Sequence, residues 1–178
     1  MSTLAEFHDH IAFERRLSAH TVSGYQRDLG FFAQHCVDLS RVDQDGRFDP
    51  LRVTKVDVRS YLRALYRDKQ AATTIARKLA AVRSFYRFLV RRGDLDVDPT
   101  HGVRTPKQPK RAPRFLSADD AQRIVEAPEG TDAVAARDRA VMELLYGAGL
   151  RVGEVESLDR GAIDPANGLV RVTGKGNK

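Results

Sequence analysis

The sequence predicts a mainly α-helical chain: a four-helix domain, a basic Pro-rich linker, and a smaller mixed α/β part carrying a β-hairpin. Three observations carry that expectation. Apolar residues recur every three or four positions from Leu4 to Leu89, the period of a helix with one buried face. Pro99, Pro106, Pro109 and Pro113 fall close together between Asp94 and Arg114 and deny a regular helix there. Asn167-Gly168 stands between two short runs rich in branched residues, which is hairpin turn chemistry.

The elements follow in order. Leu4, Phe7, Ile11 and Leu17 mark a first helix. Ser18 can cap a second, running from about His20-Thr21 to Cys36 with Val22, Tyr25, Leu29 and Phe32 inward. The polar stretch Asp38 to Arg52 reads as a loop. Thr54 starts a third helix with the stripe Val58, Tyr61, Leu62 and Leu65, so Tyr61, like Tyr25 and Tyr86, reads as core. The fourth, Ala72 to Arg92, ends at Gly93, a left-handed C-terminal cap. Residues 1–93 therefore form the first domain, 94–116 a stiff extended linker, and 117–178 the second part. There Ser117 caps a helix whose first turn carries Asp119 and Asp120. Further helices cover Ala133 to Tyr146, with Val141, Leu144 and Leu145 inward, and Val152 to Leu158, pinned by Val152, Val155 and Leu158. Ile163 and Leu169 to Val172 are the strands.

Bulk composition narrows the partners. Lys and Arg number 30 against 24 Asp and Glu, for a net charge of +6 and a pI near 9.7, which favours a polyanion. The single cysteine, Cys36, allows no internal disulfide and fits a reducing cytoplasm. Residues 1–7 lack the apolar run of a signal peptide, and no stretch approaches the roughly 18 apolar residues of a membrane span. His8, His10, His20, His35 and His101 are scattered without ligand spacing, so no metal site is expected.

The charge is concentrated. At about 100° per residue, Arg77, Lys78, Arg83, Arg87, Arg91 and Arg92 share the arc of the fourth helix opposite Ile75, Leu79, Val82, Tyr86 and Leu89, with no acid among them. A one-sign face repels itself unless an anion is near, and phosphates supply one. The linker adds Arg104, Lys107, Lys110, Arg111 and Arg114. A basic helix lying on anionic lipid is the rival, but the apolar side is needed to close a four-helix core, leaving nothing to insert.

The segment Tyr146 to Lys178 speaks to chemistry. It reads Tyr-Gly-Ala-Gly-Leu-Arg-Val-Gly-Glu-Val-Glu-Ser-Leu, then the hairpin, then Val-Thr-Gly-Lys-Gly-Asn-Lys. Gly147 and Gly149 permit a turn that sets Arg151 at a helix start, where free N–H groups and a guanidinium fork both suit phosphate. Glu154, one turn on, can hold that guanidinium. Lys175 lies between Gly174 and Gly176, which allow close approach.

This combination strongly resembles the tyrosine recombinase (phage integrase) family, and its Xer type in particular. The resemblance extends to Thr21-Val-Ser-Gly-Tyr-Gln-Arg-Asp-Leu29, Thr74-Ile-Ala-Arg-Lys-Leu-Ala-Ala-Val-Arg-Ser-Phe-Tyr-Arg-Phe-Leu89 and the joint from Pro106 to Ser117. It implies a four-helix SAM-like core-binding domain followed by an incomplete tyrosine-recombinase catalytic domain. Arg151 is then the first catalytic arginine, on the non-bridging oxygens of the scissile phosphate, and Lys175 the general acid on the departing 5′ oxygen. Glu154 supports the site. His20 and Thr21 begin a helix that meets DNA in this family; Arg77, Lys78, Arg83, Arg87, Lys107, Lys110 and Arg111 are the other candidate DNA contacts. The implied reaction cuts and rejoins DNA through a 3′-phosphotyrosine, without metal or external energy source. The implied partners are a double-stranded recombination site, a paired Xer-type recombinase in a tetramer, and a DNA translocase of the division machinery; the implied role is resolving chromosome dimers at cell division. The basic linker leans toward the C-type branch. In the family, His-x-x-Arg and the nucleophilic tyrosine come after the hairpin and are not among these residues, so this chain is expected to bind DNA but not cleave it, with an unfinished second core. A non-catalytic DNA-binding regulator and a mobile-element integrase remain the alternatives.

Overall fold

Helical periodicity builds the first unit as the sequence predicts. The computed structural model describes residues 3–107, 115–172 and 174, and divides into two units, Met1–Lys110 and Arg111–Lys178.

In the first unit, α1 (Thr3–Asp9) runs into a π-helical turn, His10–Glu14, before α2 (Ala19–Asp38). Phe7 and Ile11 are fully buried. The extra residue of the π turn closes through Arg15 N–H to the His10 carbonyl at 3.0 Å. Ser18 caps α2, its hydroxyl accepting from the Thr21 N–H. α3 (Lys55–Arg67) opens on a capping box in which the Asp57 carboxylate accepts from the Thr54 N–H and hydroxyl, both at 2.8 Å. α4 (Ala72–Arg92) stops at Gly93, whose φ of 84° needs a residue without Cβ. The core joins Leu29, Phe32 and Cys36 of α2 to Val58 and Tyr61 of α3 and to Ile75, Leu79, Val82, Phe85, Tyr86 and Leu89 of α4. Phe32 meets Tyr61 and Tyr86 edge-on at 5.2 and 6.2 Å, the arrangement ring quadrupoles favour.

Two segments carry more structure than their sequence announces. The stretch Asp38 to Arg52 is not a plain loop: Val42 and Phe48 form an antiparallel bridge, Pro50–Arg52 make a short 3₁₀ turn, and Arg41 forks onto Asp57 at 3.0 and 3.1 Å. The chain also does not leave the first unit at Gly93. Asp98 accepts from the Thr100 N–H and hydroxyl at 2.7 Å, and Val103, only 5% exposed, joins the core. The prolines forbid a helix in this segment, but they do not forbid folding back.

The second unit holds α5 (Ala118–Glu126), α6 (Ala133–Tyr146), α7 (Val152–Glu156) and the strands β1 (Ile163–Asp164) and β2 (Leu169–Val170). Ser117 and Asp132 cap α5 and α6, accepting from the N–H groups of Asp120 and Ala135. The strands pair antiparallel, Ile163 opposite Val170. In the connection through Asn167-Gly168 only Gly168 has positive φ, and Asp164 holds the loop by accepting from the Ala166 and Asn167 N–H groups. Among its described residues only Ala121 and Ala135 are fully buried, and Val152, expected to pin α7, is 72% exposed.

Candidate functional site

The basic arc of α4 is acid-free along its own helix, but not in its surroundings. Arg77 pairs with the buried Asp28 of α2. Lys78 is not on the open arc at all: it is 8% exposed, with its ammonium 4.3 Å above the Phe31 ring. Arg83 donates to the Val103 carbonyl and, at 2.7 Å, to the Thr105 hydroxyl, so it ties α4 to the segment after it. Arg92 pairs with Glu6 and Asp94. Arg87 and Arg91 bond only to carbonyls of their own helix, those of Arg83 and Arg87. Of the six, those two are exposed and without a carboxylate partner among the described residues.

Angular bookkeeping on one helix could not see these partners, because they come from other elements. Two cavities flank the face. One of about 380 Å³ is lined by His20, Thr21, Gly24, Tyr25, Arg27 and Asp28 of α2 and by Arg77, Ala80 and Ala81 of α4. Both His20 and Thr21 are exposed, as a contact at the start of α2 requires. The other, about 700 Å³, collects Arg15, Tyr25, Ser84, Arg87, Arg91 and Asp98. Sequence reasoning missed Arg15 and Arg27 as members of the basic surface, though the Arg15-Arg16 pair at a helix end was a visible signal. Lys107 is exposed; Lys110 and Arg111 lie outside the described residues.

In the second unit, α6 ends at Tyr146, and Gly149 turns the chain with φ of 66° so that Arg151 becomes the capping residue of α7. Glu154 then grips Arg151 twice, accepting from its backbone N–H at 2.8 Å and from its guanidinium at 2.7 Å. Those same two hydrogen bonds, backbone first, hold the Glu154 carboxyl below its ordinary pKa. The Arg151 side chain remains 78% exposed, so the rest of its donor fork faces solvent. The arrangement can bind a tetrahedral oxyanion with an arginine fixed in advance. Lys175, the other expected catalytic group, lies outside the described residues. No cluster of potential metal ligands occurs among the described residues, and no helix there is long and apolar enough to cross a membrane.

Comparison with known proteins gives a consistent result. The model of the phage integrase N-terminal SAM-like domain matches residues 4–93, and that of the phage integrase family matches residues 114–178. The tyrosine recombinase XerC of Azotobacter vinelandii is 40% identical over 175 residues, covering 98% of this chain and 56% of the relative. XerC of Chlorobaculum tepidum is 39% identical, with 98% and 57% covered. The chain thus spans about half the length of the curated relatives it matches. Among solved structures, a λ integrase dimer bound to a COC′ core site aligns with a TM-score of 0.68 at 18% identity, over 98% of this chain and 57% of that one. A λ integrase tetramer bound to a Holliday junction aligns at 0.66, again at 18% identity, over 96% and 46%. At that identity the likeness is one of fold.

Proposed function

Since this chain belongs to the phage integrase family of tyrosine recombinases, we propose that it is the DNA-gripping and phosphate-binding part of a Xer-type site-specific recombinase. The observation that carries the chemical half is Arg151, fixed at the head of α7 by two hydrogen bonds to Glu154 with its remaining donors open. The basic surface of α4 and the exposed start of α2 support the gripping half.

In the proposed reaction the family's tyrosine gives up its hydroxyl proton to solvent and its oxygen attacks the scissile phosphorus. A 3′-phosphotyrosine bond forms, the bond to the 5′ oxygen breaks, and Lys175 delivers the proton that oxygen needs. Arg151 binds the non-bridging oxygens as negative charge builds on the phosphorane, which is where a preorganised donor contributes most. Glu154 keeps the guanidinium from having to reorganise. Religation reverses the step on a new 5′ hydroxyl, so the bond energy is conserved in the phosphotyrosine. His20, Thr21, Arg77, Arg87, Lys107, Lys110 and Arg111 are the proposed DNA contacts. Lys78 and Arg83, spent on Phe31 and on Val103 and Thr105, act by shaping the surface. In this reading the protein works in the cytoplasm on a double-stranded recombination site. It assembles with a paired Xer-type recombinase as a tetramer and answers to a DNA translocase in resolving chromosome dimers at cell division.

The test pairs binding with cleavage. Arg151→Ala should leave duplex affinity of the 178-residue chain within about threefold, since a single phosphate contact among many is lost. In a form that contains the family's tyrosine, cleavage of a nicked suicide duplex should fall by at least about 10²–10³. A variant that stays folded yet no longer binds duplex would show that Arg151 is a gripping residue and not a catalytic one.

A further inference from the structure

Within the basic surface, Arg77 is chemically unlike Arg87 and Arg91. Its guanidinium pairs with Asp28, which is 2% exposed, and only one Asp28 oxygen is used; Oδ1 is buried with no hydrogen-bond partner. A buried carboxylate with an idle oxygen is costly, and an apolar residue of similar size would stabilise a helix pair better. Asp28 makes physical sense as a holder of Arg77. The Arg77 side chain is 53% exposed and stands on the wall of the 380 Å³ cavity with His20 and Thr21.

The floor of that cavity is cut low. A Cβ added to Gly24 would meet nothing within 4 Å, and the small residues Ala80 and Ala81 also line the cavity. Small residues, the Thr21 hydroxyl, the His20 imidazole and the Tyr25 ring, with guanidinium groups from Arg27 on α2 and Arg77 on α4, line it: this suits the edge of a base pair flanked by its backbone. Charge points the same way. Asp28 cancels the charge of Arg77, which weakens it as a counter-ion for phosphate. Its directional donors remain, and those match the paired acceptors O6 and N7 that guanine presents in the major groove. Arg87 and Arg91, with no carboxylate partner among the described residues, keep their full charge for phosphates.

We propose that Arg77, aimed by Asp28, reads a guanine edge in the major groove, and that Asp28 is the positioning residue that makes Arg77 a base reader. The proposal rests on the DNA-gripping reading above and names the specificity element of that same site.

The experiment uses the 178-residue chain and a duplex selected by it from a random library. Affinity is measured by fluorescence anisotropy across a salt series, for the selected duplex and for variants with each G·C pair replaced. Arg77→Ala should erase the preference at one G·C pair, a loss of about 5- to 150-fold in discrimination, with the salt slope unchanged. Arg87→Ala should weaken all duplexes alike and reduce the slope by about 0.9. Asp28→Asn should lower discrimination at the same pair while steepening the slope, because an uncompensated Arg77 turns to phosphate. Circular dichroism checks folding, and the exposed Arg77→Ala site keeps the question open to refutation if Asp28→Asn proves unstable. If Arg77→Ala behaves like Arg87→Ala, Arg77 is a phosphate contact and the proposal is overturned. Binding without sequence preference overturns it too, but leaves the gripping reading standing. No duplex binding by the wild-type chain would remove both.

Discussion

Asp57 is the residue on which most of the first unit's polar order converges. It is 3% exposed, closes the capping box of α3 through Thr54, and receives both arms of Arg41. Burial opposes its ionisation, but the hydrogen bonds from Arg41 and Thr54 outweigh burial and hold its carboxyl below the usual range. A carboxyl depressed in the folded state contributes stability above its unfolded pKa of about 3.9, and that contribution fades as pH falls through the lower folded value. Asp57→Asn should therefore cost roughly 2–3 kcal/mol at pH 7, from the broken pair and weakened cap. Against wild type in urea melts, that gap should narrow below about pH 4; a gap unchanged at pH 3 would refute this account of Asp57. Legibility at this scale depended on whether a partner lay nearby in sequence. Arg151 and Glu154 are three apart at a helix start, so their contact could be read directly. Lys78 and Arg77 are neighbours in sequence with opposite fates, decided by Phe31 and Asp28 on another helix.

The elements themselves were legible wherever a cap and a stripe agreed. Ser18, Thr54 and Ser117 each stand immediately before a helix, and Gly93 immediately after one. The π turn after α1 was not, because one inserted residue leaves Phe7 and Ile11 in ordinary helical spacing and shifts only the residues beyond them. The contacts made by segment 94–107 were not legible for a different reason. Proline density reports which local conformation is excluded, whereas Val103 reports a long-range contact that no window contains. This yields a prediction about elements: a fragment ending at Gly93 should melt several degrees below one ending at Lys107. Deleting the segment removes Val103 from the core and leaves Arg83 without Val103 and Thr105. Val103→Ala alone should cost about 1.5–2 kcal/mol for two buried carbons and the space they leave. Equal melting temperatures for the two fragments would show that the segment adds nothing to the stability of the first unit.

At the scale of the whole chain, the two units differ in how much holds them together. The first has a continuous core in which Tyr86, Phe7, Phe32, Phe85 and Ile11 are each almost wholly buried, with rings packed edge to face. In the second, Leu116, Ile124, Val134 and Tyr146 stay largely exposed, and the apolar groove between α5 and α6 that includes Val125, Met142 and Leu145 is open. Backbone hydrogen bonds are protected from exchange in proportion to the free energy of the opening that exposes them, and that free energy follows buried apolar area. Amides of α2, α3 and α4 should therefore exchange only through near-global opening, with slopes in denaturant that match the unfolding transition. Amides of α5 and α6 should exchange through local opening, at least about a hundredfold faster and with little denaturant dependence, since a difference of about 3 kcal/mol already gives that ratio. Hydrogen exchange followed by mass spectrometry at pH 7 distinguishes the cases peptide by peptide. If peptides of α6 were as protected as those of α4, the second unit would owe its order to something other than its own thin core, and the stability of the chain would have to be treated as a single cooperative quantity.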